Sequence, residues 1–125
     1  MRILIVDDDK IVLESCRRIL EAEGIAVVTA GNAETAEEVL RMKGPFDVIM
    51  TDIKMPGRDG FALIRPLHRA YPEMAVVMMT GYLIPDTVRK GTESGADVLI
   101  AKPFTPEELL AAVREAVAKV GRPDA

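Results

Sequence analysis

Four places in this chain hold side chains that could do chemistry together: Asp7-Asp8-Asp9, Asp52, Thr80 and Lys102. Each stands at or just past the end of a short apolar run. Val48-Ile49-Met50-Thr51 leads into Asp52, and the turn Pro56-Gly57 follows closely, so this stretch reads as a buried strand ending on a carboxylate. In open α/β sheets, ligands bind in the crevice beyond the carboxyl ends of the strands. If the first and third strands are neighbours, their tips lie about 5 Å apart. Carboxylates gathered there repel one another unless a cation sits among them. A water-accessible site made of oxygens suits Mg²⁺, which keeps several waters and accepts phosphate oxygens. The Thr80 hydroxyl and the Lys102 ammonium would face the same cleft. With the metal they would neutralise the oxygens of a phosphoryl group placed on Asp52. An aspartate carboxylate is a competent nucleophile for such a transfer, and Gly81 beside Thr80 would leave the group room to approach.

Each residue also has a plainer reading. Asp52 could cap the loop after it, and the three consecutive aspartates could favour a helix N-terminus through its dipole. Thr80 could be an ordinary strand-end residue and Lys102, before Pro103, a solvated loop charge. The argument for chemistry is that acids, hydroxyl and ammonium all fall at one sheet edge.

The elements that would place them there alternate five times. Strands are predicted over Ile3–Val6, Ala26–Thr29, Val48–Thr51, Ala75–Met79 and Val98–Ala101; four are continuously apolar, as in a parallel sheet covered on both faces. Five βα units imply an α/β fold with a doubly wound sheet and helices on both sides. The first helix is expected over Lys10–Glu23, capped by Asp9 and stopped by Gly24, with Val12, Cys16, Ile19 and Leu20 as its buried stripe. The second starts after Asn32 and ends near Lys43-Gly44, packing through Ala36, Val39 and Leu40. The third, Asp59 to Ala70, contains Pro66, where a kink is expected. It also carries His68, the only histidine, which reads as a surface residue. The fourth, Asp86 to Ser94, holds Gly91, Thr92 and Ser94, so it is expected to be the weakest and most mobile. In the fifth, Thr105 caps, Glu108 completes a capping box, and Leu109, Val113, Ala116, Val117 and Val120 line one face. Gly121-Arg122-Pro123 is expected to end the fold, giving one domain over 1–121, a tail over 122–125 and no output domain.

Composition narrows the function classes. Apolar residues at 49% and charged residues at 29% are a globular balance, not a disordered one. No apolar run is long enough to span a bilayer, and no signal peptide is read at the start. The lone Cys16 excludes an internal disulfide and fits a cytoplasmic setting. A net charge of -4 without a basic run, and no Trp, argue against direct nucleic-acid binding.

Over essentially its whole length the chain resembles the receiver domains of two-component response regulators, of the chemotaxis-receiver type. The matching motifs are Ile3-Leu4-Ile5-Val6-Asp7-Asp8-Asp9, Thr51-Asp52-Ile53-Lys54-Met55-Pro56-Gly57-Arg58-Asp59-Gly60, Met79-Thr80-Gly81-Tyr82 and Ala101-Lys102-Pro103-Phe104. The resemblance implies five strands in the order 2-1-3-4-5. It implies Asp52 as phosphoacceptor, Asp8 as a direct Mg²⁺ ligand, Asp7 acting through a metal-bound water, and the backbone carbonyl of Lys54 as a further ligand. It implies that Thr80 binds a phosphoryl oxygen and moves inward on activation. Lys102 would pair with the phosphoryl group, and its bond to Pro103 would be cis. The implied partners are a histidine kinase or phosphotransfer protein and an output partner, with a possible homodimer. Charging Asp52 is expected to draw the Thr80 and Lys102 loops toward it and to shift the weakly built fourth helix most easily. The partner or dimer face is therefore expected to be the fourth helix, fifth strand and fifth helix, with Arg89, Lys90, Asp97, Arg114 and Lys119 as its charged contacts. Such a module catalyses only its own phosphorylation and dephosphorylation. Leu99 departs from the family, which often has Tyr or Phe three residues before the lysine; Pro66 is a second departure.

Two other functions share parts of the pattern. A phosphatase like the haloacid dehalogenases would use Asp7 as nucleophile, although Ile11 stands where Thr or Val is usual and no cap domain is seen. A flavodoxin would need a phosphate-cradling loop after the first strand, where three aspartates would instead repel FMN.

Overall fold

The computed structural model describes residues 1–120. Strands β1 (Arg2–Val6), β2 (Ala26–Ala30), β3 (Val48–Asp52), β4 (Ala75–Thr80) and β5 (Val98–Ala101) form one sheet in the order β2-β1-β3-β4-β5. All four pairings are parallel. Helices α1 (Lys10–Glu21), α2 (Ala33–Lys43), α3 (Gly60–Ala70), α4 (Pro85–Ser94) and α5 (Pro106–Val120) alternate with them. The expected fold class and strand order are those observed, and no strand end differs from expectation by more than one residue. The expected fold end at Gly121-Arg122-Pro123 and the tail lie outside the described residues.

Alternation along the strands divides the core into two layers. Ile3, Ile5, Met50, Val77 and Met79 face Cys16 and Leu20 of α1 and Leu109, Val113 and Ala116 of α5. Leu4, Val6, Ile49, Val76 and Met78 face Ala36 and Leu40 of α2 and Leu63, Ile64 and Leu67 of α3. The largest of these side chains are fully buried, each worth about 1.5–3 kcal/mol of transfer free energy.

The helix starts follow local rules. Asp9 accepts from the Ile11 N–H at 2.8 Å, Asn32 from Thr35 at 2.8 Å, and Asp59 from Ala62 at 2.9 Å. Thr105 and Glu108 form the expected reciprocal box, with bonds of 3.1 and 2.8 Å. α1 stops two residues short of expectation. The N–H groups of Glu23 and Gly24 reach back three residues, tightening the last turn before Gly24 at φ +79°. α4 begins one residue early because Pro85 suits a first helical position; its N-cap, Ile84, makes no side-chain cap. α3 continues through Pro66 without interruption. That residue lies on the exposed face, where water can satisfy the carbonyl it leaves without a partner. His68 is exposed as expected, but its ring lies against Gly95, at φ +122°, where any Cβ would collide with it.

Candidate functional site

At the carboxyl edge of the sheet, Asp7 and Asp52 end the central strands on the α1/α5 side. Asp7 extends β1 by one bond, its N–H donating to the Ala30 carbonyl at 3.1 Å. Asp52 is the last residue of β3, level with Met79 of β4. Carboxylate oxygens of Asp7, Asp8 and Asp52 lie within 4.8 Å of one another. Their burial is graded: Asp7 is fully buried, Asp52 is 9% exposed, and Asp8 is open to water.

The Lys102 ammonium lies between two of these acids, 2.7 Å from Asp7 Oδ2 and 3.3 Å from Asp52 Oδ1. The other Asp7 oxygen accepts from the Asp9 N–H at 2.9 Å, so both oxygens of this buried carboxylate are engaged. Asp52 Oδ1 also accepts from the Ile53 N–H at 2.9 Å. Burial, followed by the nearby Asp7 charge, pushes the Asp52 carboxyl above its ordinary range; Lys102 and the Ile53 N–H oppose that without cancelling it. Burial alone would lower the Lys102 ammonium, but its bond to Asp7 and the two carboxylate charges outweigh burial and raise it. Cys16, beneath this cluster, is pushed up to about 11, by burial first and Asp7 second. It is a core thiol.

Thr80 stands at the same edge, but alternation with Val76 and Met78 turns it to the α2/α3 side. Its Oγ1 accepts from the Tyr82 N–H at 3.0 Å, leaving its own proton free to donate. Thr80 pairs with Ala101, and the Lys102 N–H continues the ladder one residue past β5 by donating to the Thr80 carbonyl at 2.8 Å. A Cβ at Gly81 would meet nothing within 4 Å, so the space beside Thr80 is open as expected. The peptide bond from Lys102 to Pro103 is cis, as the resemblance implied; a second cis bond, Gly44–Pro45, was not expected.

The loop after β3 runs from Ile53 to Asp59. Its base is drawn in by the Gly60 N–H, which donates to the Ile53 carbonyl at 2.8 Å; a Cβ at Gly60 would collide with the Asp52 carbonyl. Lys54, whose carbonyl was expected to ligate a metal, sends its ammonium over the Tyr82 ring, 4.9 Å from the centroid. This contact spans the mouth of the site between the loops after β3 and β4. Sequence reasoning missed it, as it missed Arg58, whose guanidinium forks onto Glu37 of α2. Only the fold reveals these partners.

The residues expected to form the partner face do not all lie there. Arg89 and Lys90 project from α4, and Lys119 bonds the Asp97 carbonyl at 2.8 Å. The Asp97 carboxylate is occupied by the Val76 N–H. Arg114 points instead toward Glu23 beyond α1, 3.8 Å away, because its helical position sets it beside Leu110. Leu99 lies on the α4 side of β5, packed against Gly91.

The arrangement can bind an oxygen-loving dication through Asp7, Asp8 and Asp52, and it presents one partly open carboxylate flanked by an ammonium. The donor set fits Mg²⁺: all oxygen, open to water on the Asp8 side, and with an excess of negative charge that Lys102 only partly offsets.

Comparison with known proteins points the same way. The family described as the response regulator receiver domain matches residues 3–114. The transcriptional regulatory protein AruR of Pseudomonas aeruginosa is 36% identical over 95% of this chain and 50% of its own length. The DNA-binding response regulator MtrA of Mycolicibacterium paratuberculosis is 39% identical over 90% of this chain and 49% of its own. This chain thus spans about half the length of those curated relatives. Among solved structures, a CheY-like receiver domain protein from Methanospirillum hungatei superposes with a TM-score of 0.89 at 34% identity, covering 98% of this chain and 97% of its own. NtrX from Brucella abortus gives a TM-score of 0.90 at 29% identity, over 98% of this chain and 28% of its own.

Proposed function

The chain belongs to the response regulator receiver domain family, and on that premise we propose that Asp52 is its phosphoacceptor, charged by a histidine kinase or phosphotransfer protein in the cytoplasm. A receiver domain is a signalling module of two-component systems, not an enzyme in the ordinary sense. The observation that carries the assignment is the contrast between the two buried acids. Both Asp7 oxygens are held, by Lys102 and by the Asp9 N–H. Asp52 keeps one oxygen free of protein partners and retains 9% exposure. That contrast supports Asp52 over Asp7 as nucleophile.

In the proposed transfer, an Asp52 oxygen forms a bond to phosphorus as the donor's P–N bond breaks and the imidazole leaves with the electron pair. Lys102 supplies fixed positive charge beside the carboxylate, against the oxygen that does not attack. The Thr80 hydroxyl donates to a phosphoryl oxygen, and it must turn and move to do so. Asp7, Asp8, Asp52 and the Lys54 carbonyl would hold Mg²⁺, which when bound neutralises phosphoryl charge. Residues 1–121 are proposed as the receiver unit.

The outgoing surface in this reading is α4, β5 and α5. Tyr82, Leu83, Ile84 and Val88 are exposed apolar residues clustered at the start of α4. They adjoin an open groove of about 380 Å³ between β5 and α5, lined by Leu83, Leu99, Ala101, Phe104, Ala111 and Glu115. An output partner or a second copy of the chain would cover such a face.

Incubation with a small phosphodonor and Mg²⁺ tests the assignment. Mass spectrometry should find one hydrolytically labile phosphoryl group at Asp52, absent from Asp52→Asn; full labelling of that variant would refute the site. Beryllofluoride in place of phosphate should alter hydrogen exchange around α4, and changes confined to α1 and α2 would refute the outgoing surface.

A further inference from the structure

The loop that carries the Lys54 carbonyl has almost no backbone support. Among the described residues, none of the backbone N–H groups from 54 to 59 donates a hydrogen bond. The loop turns sharply at Gly57, at φ +81°, and its two limbs are held by side chains. Met55 is buried in the core on one limb. On the other, Arg58 forks onto Glu37, with Nη1 2.9 Å from Oε2 and Nη2 2.7 Å from Oε1. A third contact, 3.5 Å to Glu34, extends the fork along α2. Both members of the principal pair are largely covered, with side chains 31% and 28% exposed.

A bidentate guanidinium–carboxylate pair fixes orientation as well as distance, which a point charge cannot do. Glu37 lies one turn into α2, a helix anchored to the core through Ala36 and Leu40. Arg58 precedes Asp59, the cap of α3, and follows Lys54 by four residues. The fork therefore ties the unsupported loop to a rigid element on the far side from Tyr82.

We propose that Arg58, through its fork onto Glu37, is a positioning residue that holds the loop after β3 in the shape that presents the Lys54 carbonyl to Mg²⁺. The proposal rests on the reading of the acidic cluster as a Mg²⁺ site. It makes a prediction of unusual sign. Arg58 is a cation, so by charge alone its removal would tighten Mg²⁺ binding, not weaken it. A positioning role requires the reverse.

Mg²⁺ titration of the whole chain by calorimetry decides between them. Arg58→Met should weaken Mg²⁺ binding by about three- to tenfold, in the lower range of what supporting partners contribute to metal sites. Arg58→Lys keeps the charge but loses the fork and should also weaken it. Glu37→Gln should weaken it too, and combining it with Arg58→Met should add little, because one interaction is being removed twice. Unchanged or tighter binding by Arg58→Met overturns the proposal, as does a lower melting temperature with the affinity untouched. Should that variant fail to fold, Arg58→Lys carries the same test, since unweakened binding by it overturns the proposal equally. Failure of the unaltered chain to bind Mg²⁺ overturns the site reading and this inference with it; intact binding there, unaffected by Arg58→Met, overturns this inference alone.

Discussion

Replacing Asp52 by Asn should reverse the order of melting temperatures between metal-free and Mg²⁺-loaded protein. Without metal, the ionised carboxylate is a burden. Burial and the neighbouring Asp7 both raise its proton affinity, so its charge costs the fold stability even with Lys102 at 3.3 Å. The amide oxygen in Asp52→Asn can still accept from the Ile53 N–H, so the shape survives while the charge is lost. Relief of one partly compensated buried charge is worth about 1 kcal/mol, the usual scale of a single substitution. Unfolding entropy of about 2.1 cal/mol/K per residue gives this 125-residue chain about 0.26 kcal/mol/K, so the variant should melt about 4 °C higher. With Mg²⁺ at ten times its dissociation constant, the parent gains about 1.4 kcal/mol, or about 5 °C. The variant, lacking a ligand charge, gains little. Differential scanning calorimetry at low ionic strength, with chelator and then with Mg²⁺, measures both arms. A metal-free Asp52→Asn protein that melts below the parent would refute the electrostatic reasoning. Equal Mg²⁺ shifts in both would refute the role of Asp52 in the site.

The same charge fixes a pH dependence. A folded carboxyl raised above its unfolded value of about 3.8 contributes stability at low pH that is lost as pH rises through the folded value. The advantage of metal-free Asp52→Asn over the parent should therefore shrink as pH falls toward 4 and grow on return to neutrality, which thermal melts across that range would show. Lys102→Met leaves the fully buried Asp7 without its cation and should cost about 3 kcal/mol, measurable by urea unfolding; a loss below 1 kcal/mol would mean Asp7 is not relying on it. Gly60→Ala should cost about 2 kcal/mol, because the new methyl meets the Asp52 backbone, which cannot swing aside as a side chain would. Cys16 should resist iodoacetamide at pH 8 in the folded protein and react once the chain is unfolded, since burial holds its thiol at about 11; rapid labelling of the native state would contradict that burial.

What could be read along the chain was whatever local rules decide. Strand bounds came within a residue because buried parallel strands are apolar on both faces and stop where polar side chains resume, as at Asp7, Asp52 and Lys102. The helix starts were legible at Asp9, Asn32 and Thr105 because a cap and its partner lie within three residues. The site was legible as a set of residue types at one edge, but its pairing was not. Lys102 was expected to face a phosphoryl group, yet its shortest contact is with Asp7, 95 residues away. Arg58 stood out only as part of a motif, since nothing near it in sequence names Glu37 as its partner. Arg114 was put on the wrong side of α5 because counting charges along a helix does not say which neighbour each one meets.

Gly91 and Leu99 show how two weak signals become one contact. Along the chain, Gly91 counts as a poor helix former, and Leu99 as a departure from the aromatic residue common at its position. In the fold they touch: a Cβ at position 91 would lie 2.6 Å from a Leu99 methyl. The glycine therefore lets α4 sit directly on β5, and its low helix propensity is the consequence of a packing demand. Leu99 shares a sheet face with Thr80, two strand positions from the residue paired to it. Under the proposed inward movement of Thr80, the route to α4 would run past Leu99 and against the backbone at Gly91. No aromatic ring has to swing for that route to work, because the side chain at 99 already fills the space between strand and helix.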